Sequence, residues 1–249
     1  MNILDEIVAN TRAKVSIAKE KVSLDDMILT IHSTKIVKSK FKASLKDKDQ
    51  AIIAEIKKAS PSAGVISENF DPVTKAKEYE AFGASALSIL TEEDYFLGST
   101  QYLKDVKKIS KLPILRKDFI VDIYQIYESK LIGSDCILLI ASILSDEELN
   151  DFTKLADTLE LDYIIEVHNE DELKRVQDFS EAIIGVNNRD LKSFTVDIEN
   201  SIRLKQLFNR DNLFVAESGI KGQSDINKLL RNGINIFLIG ESLMKGDFV

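Results

Sequence analysis

Charged residues interrupt apolar runs at intervals along this 249-residue chain. Glu55 and Lys57 sit in Ala51-Ile52-Ile53-Ala54-Glu55-Ile56-Lys57, and Lys117 closes Pro113-Ile114-Leu115-Arg116-Lys117. Glu166 lies in Tyr163-Ile164-Ile165-Glu166-Val167, and Glu217 ends Leu213-Phe214-Val215-Ala216-Glu217. A charge inside a run destined for burial is costly unless it is paired or used. Glu55 and Lys57 are two residues apart, so on a strand both face the same side. Taken alone they read equally as a structural ion pair, and so do Lys117 and Glu166 taken one at a time. Gathered at one place, these groups form an acid–base centre, because such clusters shift pKa values and move protons. His168 follows Glu166 and reads as a loop histidine, Cys136 reads as a core residue, and His32 carries no readable signal.

The elements that must position these groups follow a rhythm. Eight short, β-branched apolar runs begin near Ala51, Ala86, Pro113, Cys136, Tyr163, Ala182, Leu213 and Ile236. They are nearly continuous rather than alternating, which suits parallel strands buried on both faces. Amphipathic stretches separate them, as over Pro72 to Phe82, Asp146 to Leu159, Glu170 to Phe179 and Gln223 to Asn232. Gly83, Gly133 and Gly233 stand where helices should end. The repeat of about 26 residues is that of a (β/α)8 barrel, an α/β fold of typically about 250 residues. A doubly wound open sheet is the alternative, but no Gly-x-Gly-x-x-Gly follows the first run.

In such barrels chemistry gathers at the C-terminal ends of the strands. All the charged groups above fall there, as does Asn187-Asn188-Arg189-Asp190 after the sixth run. Gly219 and Gly240 follow the seventh and eighth runs, where backbone amides commonly hold a phosphate. Before the barrel, residues 1–48 are expected to be helical. Ile3, Leu4, Ile7, Val8 and Val15 share one face, and Ser23 opens a second helix. The segment reads as a cap on the barrel, with a basic arm for an anionic partner as the other reading.

The composition excludes several classes. Hydrophobic residues make up 44% and charged residues 30%, as in a globular chain. The net charge of −8 argues against nonspecific nucleic-acid binding. One cysteine and two histidines exclude an internal disulfide and argue against a zinc cage, so no metal site is expected. No apolar run reaches the roughly 18 residues that a membrane span needs. Two acids in Met1-Asn2-Ile3-Leu4-Asp5-Glu6 are unlike a secretory signal, so a cytoplasmic location is the default expectation.

Six motifs in order make the pattern specific. Ile53 to Gly64, Leu90 to Ser99, Pro113 to Ile120, Gly185 to Leu191, Ala216 to Ile220 and Ile239 to Met244 together resemble the indole-3-glycerol-phosphate synthase family of tryptophan biosynthesis. The resemblance spans nearly the whole chain, and implies a single barrel domain over residues 1–249 with 1–48 as its N-terminal helical extension. It implies a lyase that closes the ring of 1-(2-carboxyphenylamino)-1-deoxyribulose 5-phosphate and expels CO2 and water. No cofactor and no obligate protein partner are implied.

In these terms Lys117 matches the general acid of ring closure and Glu166 the acid/base of later steps. Glu55, Lys57, Asn187 and Glu217 match the rest of the catalytic set. Ser60, Phe96, Phe119, Arg189, Leu191 and Ser218 match the substrate wall, and Lys57, Gly219, Gly240 and Glu241 match the phosphate end. A second lysine nearby and partial desolvation are expected to lower the pKa of Lys117. Two other readings remain: a phosphosugar isomerase or a Schiff-base aldolase with Lys117 as nucleophile, and a non-catalytic scaffold. One departure is visible. The family usually continues into a full final helix, whereas this chain stops at Met244-Lys245-Gly246-Asp247-Phe248-Val249, so the eighth helix should be very short or absent.

Overall fold

A computed structural model describes residues 3–190 and 194–248 of the chain. Among them, eight parallel strands close into a barrel. They are β1 (Ala51–Ile56), β2 (Ala86–Leu90), β3 (Ile114–Lys117), β4 (Cys136–Ile140), β5 (Asp162–Val167), β6 (Ile183–Asn187), β7 (Phe214–Glu217) and β8 (Ile236–Ile239). Each pairs with its sequence neighbours, and β8 pairs with β1 through Ala51↔Ile236 to close the ring. This is the (β/α)8 barrel that the rhythm of apolar runs implies.

Three helices precede the barrel: α1 (Ile3–Lys21), α2 (Leu24–His32) and α3 (Phe41–Leu45). A helix follows each strand in turn: α4 (Pro72–Phe82), α5 (Thr100–Ile109), α6 (Ile123–Ile132), α7 (Asp146–Thr158), α8 (Glu170–Val176), α9 (Glu199–Leu207), α10 (Gln223–Arg231) and α11 (Glu241–Lys245). Their boundaries have local causes. Asp71 caps α4 ahead of Pro72, and Ser145 with Glu148 forms a reciprocal capping box on α7. Gly83 and Gly133 end α4 and α6 in the left-handed conformation. No described helix is long and apolar enough to cross a membrane.

The barrel interior is layered. Ile53, Leu115, Ile164 and Val215, from the four odd strands, lie in one buried cluster with Ala86, Cys136, Ile183 and Ile236 from the even strands. Phe41 and Leu45 of α3 are fully buried in that same cluster and plug the N-terminal end. Two residues further along the odd strands come Glu55, Lys117, Glu166 and Glu217. Strand alternation therefore makes the next layer of the same wall ionisable.

The N-terminal segment departs from a continuous helix. Residues 33–40 are non-helical. The Ser33 and Thr34 hydroxyls bond back to the carbonyls of Thr30 and Ile31, an alternative to continuing the helix. α1 reaches across the opposite end of the barrel. Lys14 pairs with Glu93 at 3.1 Å and Asp94 at 2.6 Å after β2, and Lys19 pairs with Asp122 at 2.7 Å after β3. The eighth helix is as short as expected, five residues ended by left-handed Gly246. Met244 is buried, and the edge-to-face pair Phe248–Phe82, 6.0 Å between centroids, ties the end of the chain to α4, with α11 packed against β1.

Candidate active site

The C-terminal mouth of the barrel holds a cavity of about 550 Å³. Its lining includes Glu55, Lys57, Ser60, Phe96, Lys117, Phe119, Glu166, Asn187, Arg189, Glu217, Ser218, Gly219, Gly240 and Glu241. The only expected site residue missing from this group is Leu191, which lies outside the described residues. The gathering follows from register: Leu90 pairs with Lys117, Ile140 with Glu166, and Asn187 with Glu217.

Lys117 is the hub. Its Nζ lies 2.8 Å from Glu166 Oε2 and 3.3 Å from Glu217 Oε2. Lys57 Nζ donates to Glu55 Oε1 at 2.6 Å, so the pair two residues apart does meet on one side. Burial disfavours the charge of Lys117, but Glu166, Glu217 and Glu55 outweigh it and hold its pKa above the ordinary lysine value. The lowered pKa expected from a neighbouring lysine is thereby corrected: the groups around Lys117 are carboxylates, and they favour its cation.

The two carboxylates on Lys117 diverge. Burial opposes ionisation of Glu166, yet Lys117 and His168 prevail and hold it well below the usual range. Burial of Glu217, reinforced by the negative charges of Glu166 and Glu55, outweighs Lys117 and pushes its pKa up to about 7. Geometry explains the split. Glu166 also accepts from Asn187 Nδ2 at 3.2 Å, whereas Glu217 Oε1 is buried without a hydrogen-bond partner among the described residues. Two neighbouring carboxyls with pKa values pushed apart can divide acid and base roles between them.

Backbone conformation shapes the rest. A Cβ at Gly185 would collide with the Glu217 carboxylate, and one at Gly240 would collide with that of Glu55, so both glycines make room for charge. Ser218 and Gly219 are consecutive residues with φ of 66° and 81°. The Asn188 side chain donates to the Ser218 carbonyl at 3.1 Å and accepts from the Ser201 amide, tying this turn to α9. Glu241 contributes no free charge: its carboxylate lies 2.7 Å from Lys245 and 3.6 Å from Arg189. The rings of Phe96 and Phe119 stand 6.0 Å apart at 41°. Buried Glu92 accepts from the amides of Asp94, Tyr95 and Phe96, which sets the loop that carries Phe96.

Two contributions were not anticipated. Ile3, Leu4 and Ile7 of α1 line the cavity, so the N-terminal helix supplies part of the apolar wall. Their helical spacing was readable, but not what they face. His168 is not an isolated loop histidine, because its Nε2 lies 3.3 Å from Glu166 Oε1. The signal for it was alternation, since residues 166 and 168 share a side of the chain.

A (β/α)8 barrel with a cluster of buried glutamates paired to lysines and an apolar-walled cavity at its C-terminal mouth is the framework of a barrel enzyme. The family model for indole-3-glycerol phosphate synthase matches residues 4–249. The chain is 50% identical over 246 residues to the indole-3-glycerol phosphate synthase of Ruminiclostridium cellulolyticum, covering 98% of this chain and 94% of the relative. Against that of Clostridium acetobutylicum it is 48% identical over 243 residues, covering 98% and 92%. The chain belongs to the indole-3-glycerol phosphate synthase family, a family of carboxy-lyases. Among solved structures, the tryptophan synthase complex of Pyrococcus furiosus superposes with a TM-score of 0.59 at 16% identity, covering 80% of this chain and 90% of that one. The N-acetylmannosamine-6-phosphate 2-epimerase of Clostridium perfringens gives 0.59 at 12% identity, covering 79% and 88%. At these identities the likeness shows the fold alone.

Proposed function

We propose that this chain converts 1-(2-carboxyphenylamino)-1-deoxyribulose 5-phosphate to indole-3-glycerol phosphate, with Lys117 as the general acid of ring closure. The observation that carries this reading is Lys117 itself, a partly buried ammonium held between the buried carboxylates of Glu166 and Glu217 in the cavity wall. Ring closure joins the carboxylate-bearing ring carbon to the ketone carbon, and negative charge develops on the ketone oxygen. A fixed ammonium beside that oxygen stabilises the charge and hands over a proton. CO2 then leaves and the ring regains aromaticity. Loss of the hydroxyl as water needs a second acid/base, the role assigned to Glu166. Once Lys117 has given up its proton, Glu166 loses the cation that depresses its pKa and becomes a better proton acceptor.

The remaining assignments follow the lining. Phe96, Phe119 and the apolar face of α1 suit the anthranilate ring, and Arg189 suits its carboxylate. Lys57 with the amides at Gly219 and Gly240 suits the phosphate. Asn187 and Glu55 orient Glu166 and Lys57 through the contacts described above. The ion pairs of Lys117 oppose the Schiff-base reading, since a nucleophilic amine must be neutral.

Incubation with the carboxyphenylamino ribulose phosphate, followed by indole fluorescence, tests the proposal. Steady appearance of the indole product is expected, and no product at micromolar enzyme overturns it. Borohydride added with substrate should leave Lys117 unmodified; a stable adduct there contradicts the acid role.

A further inference from the structure

We propose that His168 is a positioning residue for Glu166: clamped between the Glu166 and Glu172 carboxylates, its imidazole fixes which Glu166 oxygen faces Lys117 and keeps a positive charge behind it. The kinetic part of this inference rests on the reaction proposed above.

A chain of contacts carries it. Glu172, in the first turn of α8, accepts from the His168 backbone amide at 2.8 Å and lies 3.2 Å from its Nδ1. Glu172 is itself held, because its other oxygen accepts from Asn169 Nδ2 at 2.7 Å and its amide donates to the Asn169 cap. Asn200 Nδ2 of α9 donates to the His168 carbonyl at 3.0 Å, so the backbone at this point is tied to two helices. The imidazole is thereby aimed into the barrel. Its Nε2 is buried, makes no hydrogen bond among the described residues, and has Glu166 Oε1 at 3.3 Å. That separation is an ion-pair distance off the hydrogen-bond line. Hydrogen bonds of this kind often tighten only when substrate is bound.

The consequence is a division of labour on one carboxylate. Oε1 faces His168 and Asn187, and among the described residues Oε2 faces Lys117. Proton traffic between Glu166 and Lys117 is confined to one oxygen. The charged groups facing the His168 imidazole are Glu166 from β5 and Glu172 from α8, while the uncharged amide of Asn200 from α9 holds its backbone carbonyl. Burial opposes a charge on the imidazole, but its two carboxylates prevail and push its pKa up to about 10. A cation that stays in place while Lys117 gives up its proton limits how far Glu166 drifts.

The protein has two histidines, so ring-labelled His32→Gln protein shows a single imidazole signal from residue 168. Its NMR titration is expected to show the protonated ring through pH 8, with the midpoint falling by about one pH unit or more in Glu172→Gln. A midpoint near the free-histidine value of about 6.5, unmoved by Glu172→Gln, overturns the clamp. This arm needs no substrate, so it decides the clamp even if the synthase reaction fails. In turnover, His168→Gln is expected to lower kcat about tenfold, leave KM within about twofold, and move the acid limb of kcat to higher pH. The direction follows because Glu166 loses a cation and its pKa rises. His168→Leu, which lacks a donor as well, should lose more. An unmoved acid limb, or a loss that appears in KM and thermal stability alone, marks His168 as structural and overturns the proposal.

Discussion

The two ends of the barrel are built from the same strands and have opposite chemistry. At the N-terminal end the odd strands present Ile53, Leu115, Ile164 and Val215, sealed by Phe41 and Leu45 of α3. Two residues later the same strands present Glu55, Lys117, Glu166 and Glu217, roofed in part by α1. One end lowers free energy by removing apolar surface from water. The other spends part of that stability on buried charges, which are worthwhile only if they do something. Substitutions at the two ends should therefore fail in different ways.

The largest effect is expected at the charged end. Lys117→Ala should lower kcat by about 10²–10⁴-fold with little change in substrate affinity or melting temperature. Near-normal turnover in a fluorescence assay would remove Lys117 from the chemistry. At the plugged end, Phe41→Ala should cost about 3–5 kcal/mol in denaturant unfolding, while kcat of the folded fraction stays within about twofold. A large kcat loss without destabilisation would mean that the two ends are coupled.

Glu217 tests whether the charged end costs stability. Its pKa of about 7 in the fold lies above the 4.5 of an ordinary glutamate. Between those values the native chain binds the extra proton, so stability falls as pH rises through that window. Taken alone, the fall is on the order of 3 kcal/mol. Glu217→Gln should flatten that slope in unfolding curves from pH 4.5 to 7; an unchanged slope would show that Glu217 ionises normally.

Smaller effects are expected at the proposed phosphate end. Gly219→Ala must place a Cβ against Val196 at a left-handed residue. It should raise KM about tenfold, roughly 1.4 kcal/mol, with kcat little changed. Glu241→Gln should change KM less than about twofold, because its side chain is already engaged by Lys245 and Arg189. A tenfold drop in KM instead would show that its charge repels the phosphate.

Much of this contrast is legible in the sequence. The strand rhythm and the places of Glu55, Lys57, Lys117, Glu166 and Glu217 at strand ends are local properties of the chain. Periodicity and burial pattern record them directly. Other features depend on which strands become neighbours. The sign of the Lys117 shift depends on three carboxylates, Glu166, Glu217 and Glu55, that are far from it along the chain and meet it only when the barrel closes. Linear proximity to lysine pointed the other way. The reach of α1 over the mouth, the plugging by Phe41 and the placing of His168 against Glu166 are likewise results of closure. The sequence by itself determined which residues are apolar, which are charged, and at what period they recur. The tertiary structure alone decided which charges share a solvent-poor space, because electrostatic interactions depend on distance and desolvation, and neither exists until the ring of strands is complete.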